Sequence, residues 1–417
     1  MEKLIINGGR KLVGEINVNG GKNAAVAIIP AVLLASEETE IKNLPHISDT
    51  KLLVDILKKM GVKCEFIGDV LRVTNTQVND YKFDFDEVSK MRASYYFIGA
   101  LLGKYKKAEL PLPGGCNLGS RPIDQHIKAF ELLGATVKIE HGIIKVEAEK
   151  LVGTKIYLDV ISVGATINTM LAAVLAEGET IIENAAKEPH VVDLADFLNK
   201  MGAKVQGAGT DVIVVEGVKK LDGCTHVVIP DQIEAGTYMV AAAITGGDVT
   251  IKNVDPKHME SITAKLKEAN VEVIEIGNTI RIVGKDDLVS MNVKTLPYPG
   301  FPTDMQSQMG ALLSIAKGTS MITETIWANR FRYTDGLNRM GAKIKSEGSV
   351  AVIKGVDKLT GAKVTAPDLR GGVALVLAGL VAEGVTEISN IEHIDRGYEE
   401  IEEKLNSLGA SIKRIEE

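Results

Sequence analysis

The sequence is poor in cysteine, and its cysteines show no spacing that would cross-link the chain. The three cysteines among 417 residues are Cys64, Cys116 and Cys224. An odd number of widely separated cysteines argues against a disulfide framework, and there is no Cys-x-x-Cys pair with the spacing of a zinc site. The seven histidines are scattered as well, so the sequence predicts neither a metal nor another cofactor.

Long hydrophobic runs are also missing. The longest apolar stretches, near residues 170–176 and 373–382, are well short of the ~20 residues that span a bilayer. The first residues contain no apolar segment long enough for a signal peptide. These absences predict a soluble, cytoplasmic protein without membrane insertion.

An excess of positive charge is missing too. The chain has 48 Lys and Arg against 55 Asp and Glu, a net charge of -7, and no run of basic residues. Because a negative protein repels a polyanion, we do not expect a nucleic-acid partner. An anionic small molecule could still bind, but it would need a local cluster of cationic side chains.

What the sequence does contain is one unit repeated six times. A short amphipathic segment ends six times, at intervals of 68 to 73 residues, at Gly61, Gly134, Gly202, Asn270, Gly341 and Gly409. Glycine and asparagine both tolerate the left-handed conformation that closes a helix, so these positions are predicted helix ends. A β-rich hairpin follows each of them, and a small-residue helix with a strand after it also recurs. Each unit is therefore predicted to be β-α-β-α-β-β.

The two ends of the chain are predicted to complete one unit together. The sixth unit is one hairpin strand short, whereas residues 3–8 resemble the missing strand. Dividing six units into two sets of three gives one domain at 22–229 and another formed by 1–21 and 230–417. The predicted fold class is α/β with two domains, and a cleft between such domains is a natural place for a ligand.

One loop departs from the repeat in a way that suggests chemistry. Residues 110–122 contain three glycines and three prolines around Cys116. A lone cysteine is usually a small buried hydrophobic residue, and this is our interpretation of Cys64 and Cys224. Arg121 and the flanking glycines favour a different interpretation of Cys116, because an exposed thiol near a guanidinium group has more thiolate character.

Charged residues lie at unit junctions where the repeat does not require them. Each could be an ordinary surface charge, but as a set beside glycines they suggest recognition of an anion, and they are Lys22, Arg92, Arg330, Arg332, Arg370 and Arg396. Asp304 precedes a small-residue helix and has two interpretations. It could cap that helix or lie in its first turn, as Asp231 and Asp368 could at equivalent starts, or it could serve a ligand.

Several motifs together resemble a known family. They are residues 21–24 (GKNA), 113–116 (PGGC), 119–124 (GSRPID), 162–166 (SVGAT), 299–304 (PGFPTD) and 368–372 (DLRGG). In this order they resemble the UDP-N-acetylglucosamine 1-carboxyvinyltransferases, and the cysteine loop separates these from the shikimate-pathway enolpyruvyl transferases. The loop, with Gln125 after it, is similar to that of the second paralogue of low-GC Gram-positive bacteria. The resemblance implies a two-domain inside-out α/β barrel.

The resemblance also implies roles for individual residues. It makes Cys116 the acid that protonates phosphoenolpyruvate, with a covalent adduct at the adjacent carbon as a second role left open. It makes Asp304 the residue that orients or deprotonates the sugar hydroxyl. It places Lys22, Arg121 and Arg396 on the phosphate and carboxylate, with Asn23 at the reacting centre. The implied contacts to the substrates further include Arg92, Arg121, Pro122, Ile123, Asp124, Gln125, Ser162, Val163, Gly164, Ile326, Arg330 and Arg370.

Two other functions remain open on the sequence alone. A non-catalytic repeat scaffold would explain the six units, but it would not explain the cysteine loop or the additional arginines. An enolpyruvyl transferase acting on shikimate 3-phosphate would keep the fold, but Cys116 and the residues implied to contact the nucleotide sugar count against it.

Overall fold

The computed structural model describes residues 2–79, 92–112 and 123–416. Cys116, Arg121 and Pro122 lie outside the described residues, and the side chain of Arg92 is not described. In the described ranges the α-helices are α1 (Lys22–Ala31), α2 (Ser48–Lys59), α3 (Tyr96–Tyr105), α4 (Asp124–Leu132), α5 (Val163–Ala173), α6 (Pro189–Lys200), α7 (Gln232–Ile244), α8 (Glu260–Glu268), α9 (Gln306–Leu313), α10 (Thr334–Arg339), α11 (Leu369–Val381) and α12 (Ile401–Ser407).

The strands follow the helices in a regular order. They are β1 (Glu2–Asn7), β2 (Val13–Asn17), β3 (Thr39–Lys42), β4 (Lys63–Ile67), β5 (Val70–Asn75), β6 (Lys107–Pro111), β7 (Thr136–Glu140), β8 (Ile143–Glu147), β9 (Lys155–Tyr157), β10 (Glu179–Glu183), β11 (Lys204–Gln206), β12 (Val212–Glu216), β13 (Thr225–Val227), β14 (Asp248–Lys252), β15 (Glu272–Ile276), β16 (Thr279–Val283), β17 (Val293–Lys294), β18 (Thr319–Thr323), β19 (Lys343–Glu347), β20 (Val350–Lys354), β21 (Lys363–Thr365), β22 (Val385–Ser389) and β23 (Ile412–Glu416). Short 3-10 helices include Arg92–Tyr95, Thr303–Met305 and Ile391–His393.

The sheets repeat one pattern. In the third of the six repeats, β9 pairs in parallel with β10, β10 pairs antiparallel with β12, and β12 pairs antiparallel with β11. The same order recurs in β17-β18-β20-β19 and in three further four-stranded sheets, while β6-β8-β7 contains three described strands. A parallel pair needs a crossover connection, and a small-residue helix supplies it between β9 and β10 (α5), between β17 and β18 (α9) and between β21 and β22 (α11).

The N-terminal strand lies inside the last sheet. Strand β1 pairs antiparallel with β22 on one side, where Leu4 is opposite Ile388, and with β23 on the other, where Leu4 is opposite Arg414. It therefore occupies the position that the second hairpin strand takes in the other units.

Two compact units divide the described residues. The first compact unit, called the first unit from here on, consists of residues 20–79, 92–112 and 123–229. The second compact unit, called the second unit, consists of residues 2–19 and 230–416. The chain passes from one unit to the other after residue 19 and after residue 229. The strand before each passage pairs within the unit that the chain is leaving, since β2 pairs with β14 and β13 pairs with β3. Each unit has its own cluster of buried aliphatic and aromatic side chains.

The six predicted helix ends are confirmed. The φ angle is positive at every one of them, from 68° at Asn270 to 101° at Gly134. Hydrogen bonds explain why the conformation is needed: the amide of Gly202 donates to the carbonyl of Asn199, and the amide of Ala203 donates to that of Leu198. These bonds satisfy carbonyls that the end of the helix would leave without donors.

The small-residue helices are buried, as the sequence predicts. Every residue of α11 except Val381 is buried, and in α7 only Gln232 is not. Small residues let the backbones of such helices approach each other. A Cβ atom added at Gly99 in α3 would lie 2.6 Å from the carbonyl oxygen of Asn168 in α5. The amphipathic helices α2 and α6 keep their lysines on the exposed face, whereas Asp49 and Asp193 are buried.

Candidate functional site

Three small-residue helices of the second unit begin near an aspartate, but the aspartates are used differently. Asp231 caps α7, because its Oδ1 accepts hydrogen bonds from the amides of Ile233 and Glu234 at 2.7 and 3.1 Å. Asp368 caps α11 through Arg370 and Gly371 at 3.0 and 2.9 Å. Helix α9 is instead preceded by the 3-10 turn Thr303–Met305, whose N-cap residue is Pro302. The interpretation of Asp304 as an N-cap residue is therefore wrong, whereas its first-turn position is correct.

The carboxylate of Asp304 binds two guanidinium groups. Arg330 donates to Oδ1 at 2.8 Å and Arg370 donates to Oδ2 at 3.0 Å. Both arginine side chains are 4% exposed, while that of Asp304 is 26% exposed. Burial alone would lower the pKa of Arg370, but the electrostatic interactions with Asp304, Tyr398 and Asp231 and the hydrogen bond to Asp304 together outweigh burial, so the pKa is raised. Charge-assisted bonds of this kind fix a carboxylate firmly. Their involvement with Asp304 does not test the prediction that both arginines also contact substrate, which stays a prediction.

A buried polar cluster adjoins this carboxylate. The phenol oxygen of Tyr398 accepts a hydrogen bond from Nη1 of Arg370 at 3.2 Å and lies 2.7 Å from Oγ1 of Thr237. Gln308 lies on the same side, with its Nε2 3.2 Å from Thr237 Oγ1. Burial raises the pKa of Tyr398 above its usual value, so the phenol is protonated at neutral pH.

Ile326 is held close to the Asp304 turn by a residue that the sequence analysis missed. Glu324 is buried and accepts hydrogen bonds from the amide of Ile326 at 2.8 Å and from the hydroxyl of Thr303 at 2.9 Å. The amide of Trp327 and the hydroxyl of Thr295 donate to it as well, at 3.1 and 2.9 Å. A glutamate that directly follows a strand looks like a surface residue in sequence, so only its partners show its task.

Arg396 lies half-buried in a segment that is anchored beside it. Asp395 accepts hydrogen bonds from Nη1 and Nη2 of Arg414 at 3.0 and 2.7 Å. On the other side of Arg396 the phenol of Tyr398 is buried in the cluster described above. The backbone that carries the Arg396 side chain is therefore fixed on both sides.

In the first unit, Lys22 begins α1 and makes a largely buried ion pair. Its Nζ lies 3.1 Å from Oδ2 of Asp49, with 14% and 4% of the two side chains exposed. Asp49 lies in the first turn of α2, and Asn23 follows Lys22 in α1. The sequence analysis missed Asp49, because an acid in the first turn of a helix is an ordinary feature.

Six of the predicted nucleotide-sugar residues lie at the starts of α4 and α5. Ile123 precedes α4, whose first residues are Asp124 and Gln125. Ser162 caps α5, accepting a hydrogen bond from the amide of Ala165 at 3.2 Å, and Val163 and Gly164 are its first residues.

Two side chains that the sequence analysis missed organise this region. Asp159 donates its amide to Oε1 of Gln125 at 2.8 Å and accepts from Nε2 of Gln125 at 3.2 Å. His126 lies beside Gly164, where an added Cβ atom would be 3.0 Å from Nε2. The side-chain amide nitrogen of Asn168, Nδ2, forms a hydrogen bond with Nδ1 of His126 at 2.9 Å and so fixes the orientation of the imidazole ring.

The structure thus places the predicted residues in two groups. Lys22, Asn23 and those at the starts of α4 and α5 belong to the first unit, whereas Asp304, Ile326, Arg330, Arg370 and Arg396 belong to the second. Among the described residues no group of three or more His, Cys, Asp or Glu side chains is arranged to hold a metal ion. In the same ranges no helix is long and apolar enough to cross a membrane.

The two remaining cysteines are less buried than expected. Cys64 and Cys224 are free and half-buried, and both pack against the core of the first unit. Burial raises the pKa of both thiols. Cys116 lies outside the described residues, so its role stays a prediction.

Comparison with known proteins gives the class and then the family. A solved structure of the enolpyruvyl transferase NikO from Streptomyces tendae matches with a TM-score of 0.90 at 24% identity, over 99% of this chain and 98% of that one. The fold is therefore that of the enolpyruvyl transferases, which confirms the predicted fold class. The family model described as EPSP synthase (3-phosphoshikimate 1-carboxyvinyltransferase) matches residues 6–405.

Two relatives are much more similar in sequence. UDP-N-acetylglucosamine 1-carboxyvinyltransferase 2 of Clostridium acetobutylicum is 57% identical over 415 residues, or 99% of each chain. UDP-N-acetylglucosamine 1-carboxyvinyltransferase of Clostridium botulinum is 58% identical over 419 residues, or 100% of each chain. The chain belongs to the UDP-N-acetylglucosamine 1-carboxyvinyltransferase family of enzymes. Relatives with and without the paralogue number 2 are similar to the same degree, so the resemblance to the second paralogue stays a prediction.

Proposed function

We propose that this enzyme transfers the enolpyruvyl group of phosphoenolpyruvate to the 3′-hydroxyl of UDP-N-acetylglucosamine and releases phosphate, the first committed step of peptidoglycan synthesis. The observation that carries the proposal is the full-length identity of 57 to 58% to relatives named for this reaction. The family model alone would leave the acceptor open, since its description names 3-phosphoshikimate.

The reaction needs an acid, a hydroxyl acceptor and cations. A proton added to the methylene carbon of phosphoenolpyruvate makes the neighbouring carbon electrophilic, and the sugar hydroxyl forms a C–O bond there as it loses its proton. Loss of a proton from the new methyl group and departure of phosphate then restore the double bond. In this scheme Cys116 gives the first proton, and Asp304 orients the hydroxyl and accepts its proton.

The geometry at Asp304 supports an orienting role. Both oxygens of its carboxylate bind a buried arginine, whereas Asp231 and Asp368 each accept the amides that begin a helix. Two guanidinium groups fix the orientation of the Asp304 carboxylate. A fixed hydrogen-bond acceptor lowers the entropic cost of placing the sugar hydroxyl in a reactive orientation.

The cationic residues fit the donor substrate. Phosphoenolpyruvate carries a phosphate and a carboxylate, and preorganised cations stabilise such charges through the reaction. We assign this binding to Lys22, Arg121 and Arg396, with Asn23 beside the reacting carbon. The Asp49 carboxylate next to Lys22 offsets part of its charge and directs its Nζ. Arg92, Pro122 and the residues at the starts of α4 and α5 are assigned to the sugar nucleotide.

The test is release of phosphate on mixing the purified protein with phosphoenolpyruvate and UDP-N-acetylglucosamine. We expect stoichiometric phosphate and enolpyruvyl sugar nucleotide, and none when either substrate is omitted. Phosphate release with shikimate 3-phosphate in place of the sugar nucleotide would instead assign the other acceptor. Binding of the sugar nucleotide without turnover would make the protein a scaffold.

A further inference from the structure

The hydroxyl of Tyr398 lies at the centre of a buried polar cluster. Its oxygen is 3.2 Å from Nη1 of Arg370, 2.7 Å from Oγ1 of Thr237 and 3.4 Å from Nε2 of Gln308. All four side chains are buried, with no more than 3% of any of these residues exposed. Polar groups in such an environment are costly unless each finds a partner, so their arrangement here is strongly constrained.

The directions of these hydrogen bonds can be assigned. Thr237 donates its single hydroxyl hydrogen to the carbonyl of Ile233 at 2.8 Å, so its oxygen must accept from Tyr398. Arg370 has only donors, so the phenol oxygen accepts from it. Tyr398 therefore donates to helix α7 and accepts from Arg370. Arg370, in turn, donates through Nη1 to Tyr398 and through Nη2 to Asp304.

The same tyrosine fixes the backbone that carries Arg396. The amides of Gly397 and Tyr398 both donate to the carbonyl of Ile394, at 3.0 and 3.1 Å, and so close a tight turn around Arg396. Because the side chain of Tyr398 is anchored in the cluster, this turn cannot move without breaking the bonds to Arg370 and Thr237.

We propose that Tyr398 is a positioning residue, which couples the Asp304 carboxylate to the turn that carries Arg396. The inference rests on the proposed function, in which Asp304 serves the acceptor hydroxyl and Arg396 serves phosphoenolpyruvate. Tyr398 thereby connects Asp304, through Arg370, with the backbone turn around Arg396, and all of these residues belong to the second unit.

A second buried tyrosine provides a matched control. Tyr238 follows Thr237 in α7 and is fully buried, and its hydroxyl donates to Oε1 of Glu234 at 2.9 Å. It makes no hydrogen bond to Asp304, Arg370 or Thr237 in the part of the chain that the structure describes. Replacing either tyrosine by phenylalanine removes one buried hydroxyl, so the two variants share the structural cost but differ in the connection to Asp304.

The experiment compares four variants: Tyr398→Phe, Thr237→Val, Thr237→Ser and Tyr238→Phe. We expect Tyr398→Phe and Thr237→Val to lower kcat by about tenfold or more, because a hydrogen bond that orients a charged group is lost. Thr237→Ser keeps the acceptor and should restore most of kcat. Tyr238→Phe should lose a similar amount of stability but change kcat by less than about threefold. Equal losses of kcat in the two tyrosine variants, or none in Tyr398→Phe, would overturn the proposal.

Amide hydrogen exchange separates this inference from the reaction itself. Without the phenol, the turn at residues 394–398 should exchange faster in Tyr398→Phe but not in Tyr238→Phe. A wild-type protein that releases no phosphate would refute the proposed function, and the exchange data would still decide whether Tyr398 holds the turn. Unchanged exchange in this segment would contradict the positioning role whatever the activity.

Discussion

Helices α7, α9 and α11 begin at equivalent positions of three repeats. An aspartate near the start caps α7 and α11, whereas the aspartate near the start of α9 binds arginines. Asp231 and Asp368 each accept two backbone amides and close the first turn of their helix. Asp304 instead lies two residues after its N-cap residue, Pro302, and its carboxylate binds Arg330 and Arg370. Because the three positions share one fold, the shared fold cannot be the reason for the difference. A repeat thus provides its own control, and the copy that breaks the rule marks the place to look for function.

The largest expected effect comes from removing the charge at Asp304. Asp304→Asn should lower kcat by about 100-fold or more, the size typical of a lost proton acceptor. Asp368→Asn should leave activity within a few-fold, because asparagine caps a helix as well as aspartate. Steady-state phosphate release measures both, and comparable losses in the two variants would remove the distinction between the helix starts.

The next effect separates Lys22 from Arg396, two of the three predicted ligands of phosphoenolpyruvate, by their contribution to stability. Arg396→Ala and Lys22→Ala should both raise KM for phosphoenolpyruvate by about tenfold or more, since each removes a charge-assisted contact. Only Lys22→Ala should also lower the free energy of unfolding, by about 1 to 3 kcal/mol, because the buried Asp49 loses its cation. Adding Asp49→Ala should recover part of that stability. Denaturant unfolding of the three proteins provides the measurement, and an unchanged midpoint for Lys22→Ala would show the ion pair to be unimportant for folding.

A smaller effect concerns the reactivity of the three thiols. Burial raises the pKa of Cys64 and Cys224, so at neutral pH little thiolate forms at either residue. Their alkylation should accelerate only as the pH rises towards the raised pKa. We expect a small phosphonate epoxide, which resembles the donor substrate, to modify Cys116 at neutral pH and leave the other two free. Peptide mass spectrometry distinguishes this from modification spread over all three cysteines.

The smallest effect tests the helix ends. An added Cβ at Gly202 would meet no atom within 4 Å, and the φ angle there is 98°. Gly202→Ala should therefore cost about 1 to 2 kcal/mol, from the left-handed backbone alone. Asn270→Gly should change stability by less than about 1 kcal/mol, since both residues tolerate that conformation. Thermal unfolding tests both, and a larger loss for Asn270→Gly would show that its side chain matters beyond the backbone.

The sequence predicted the fold well because the fold is built from local signals. A glycine or asparagine ends each amphipathic helix in the left-handed region, and runs of small residues mark the helices that pack closely. Such signals need no knowledge of distant contacts, and repetition made them visible above the background.

The site was predicted less completely, because much of it depends on contacts between distant residues. Glu324, Asp49 and Asp159 look like ordinary surface or first-turn acids, and only folding shows that they hold Ile326, Lys22 and Gln125. Tyr398 looks like a core aromatic residue until its hydroxyl meets Arg370. The predictions for Cys116, Arg121 and Pro122 lie outside the described residues and stay predictions.

The position of β1 has a consequence for synthesis on the ribosome. Residues 2–7 are translated long before their partners in β22 and β23. The strands that the structure describes within residues 20–229 pair only with one another, so this unit can fold while later residues are still being added. Until β22 and β23 have been translated, both edges of strand β1 are unpaired. Unpaired strand edges can form non-native β-sheet contacts and aggregate. We therefore expect strand β1 of the nascent chain to depend on chaperones until β22 and β23 have been translated.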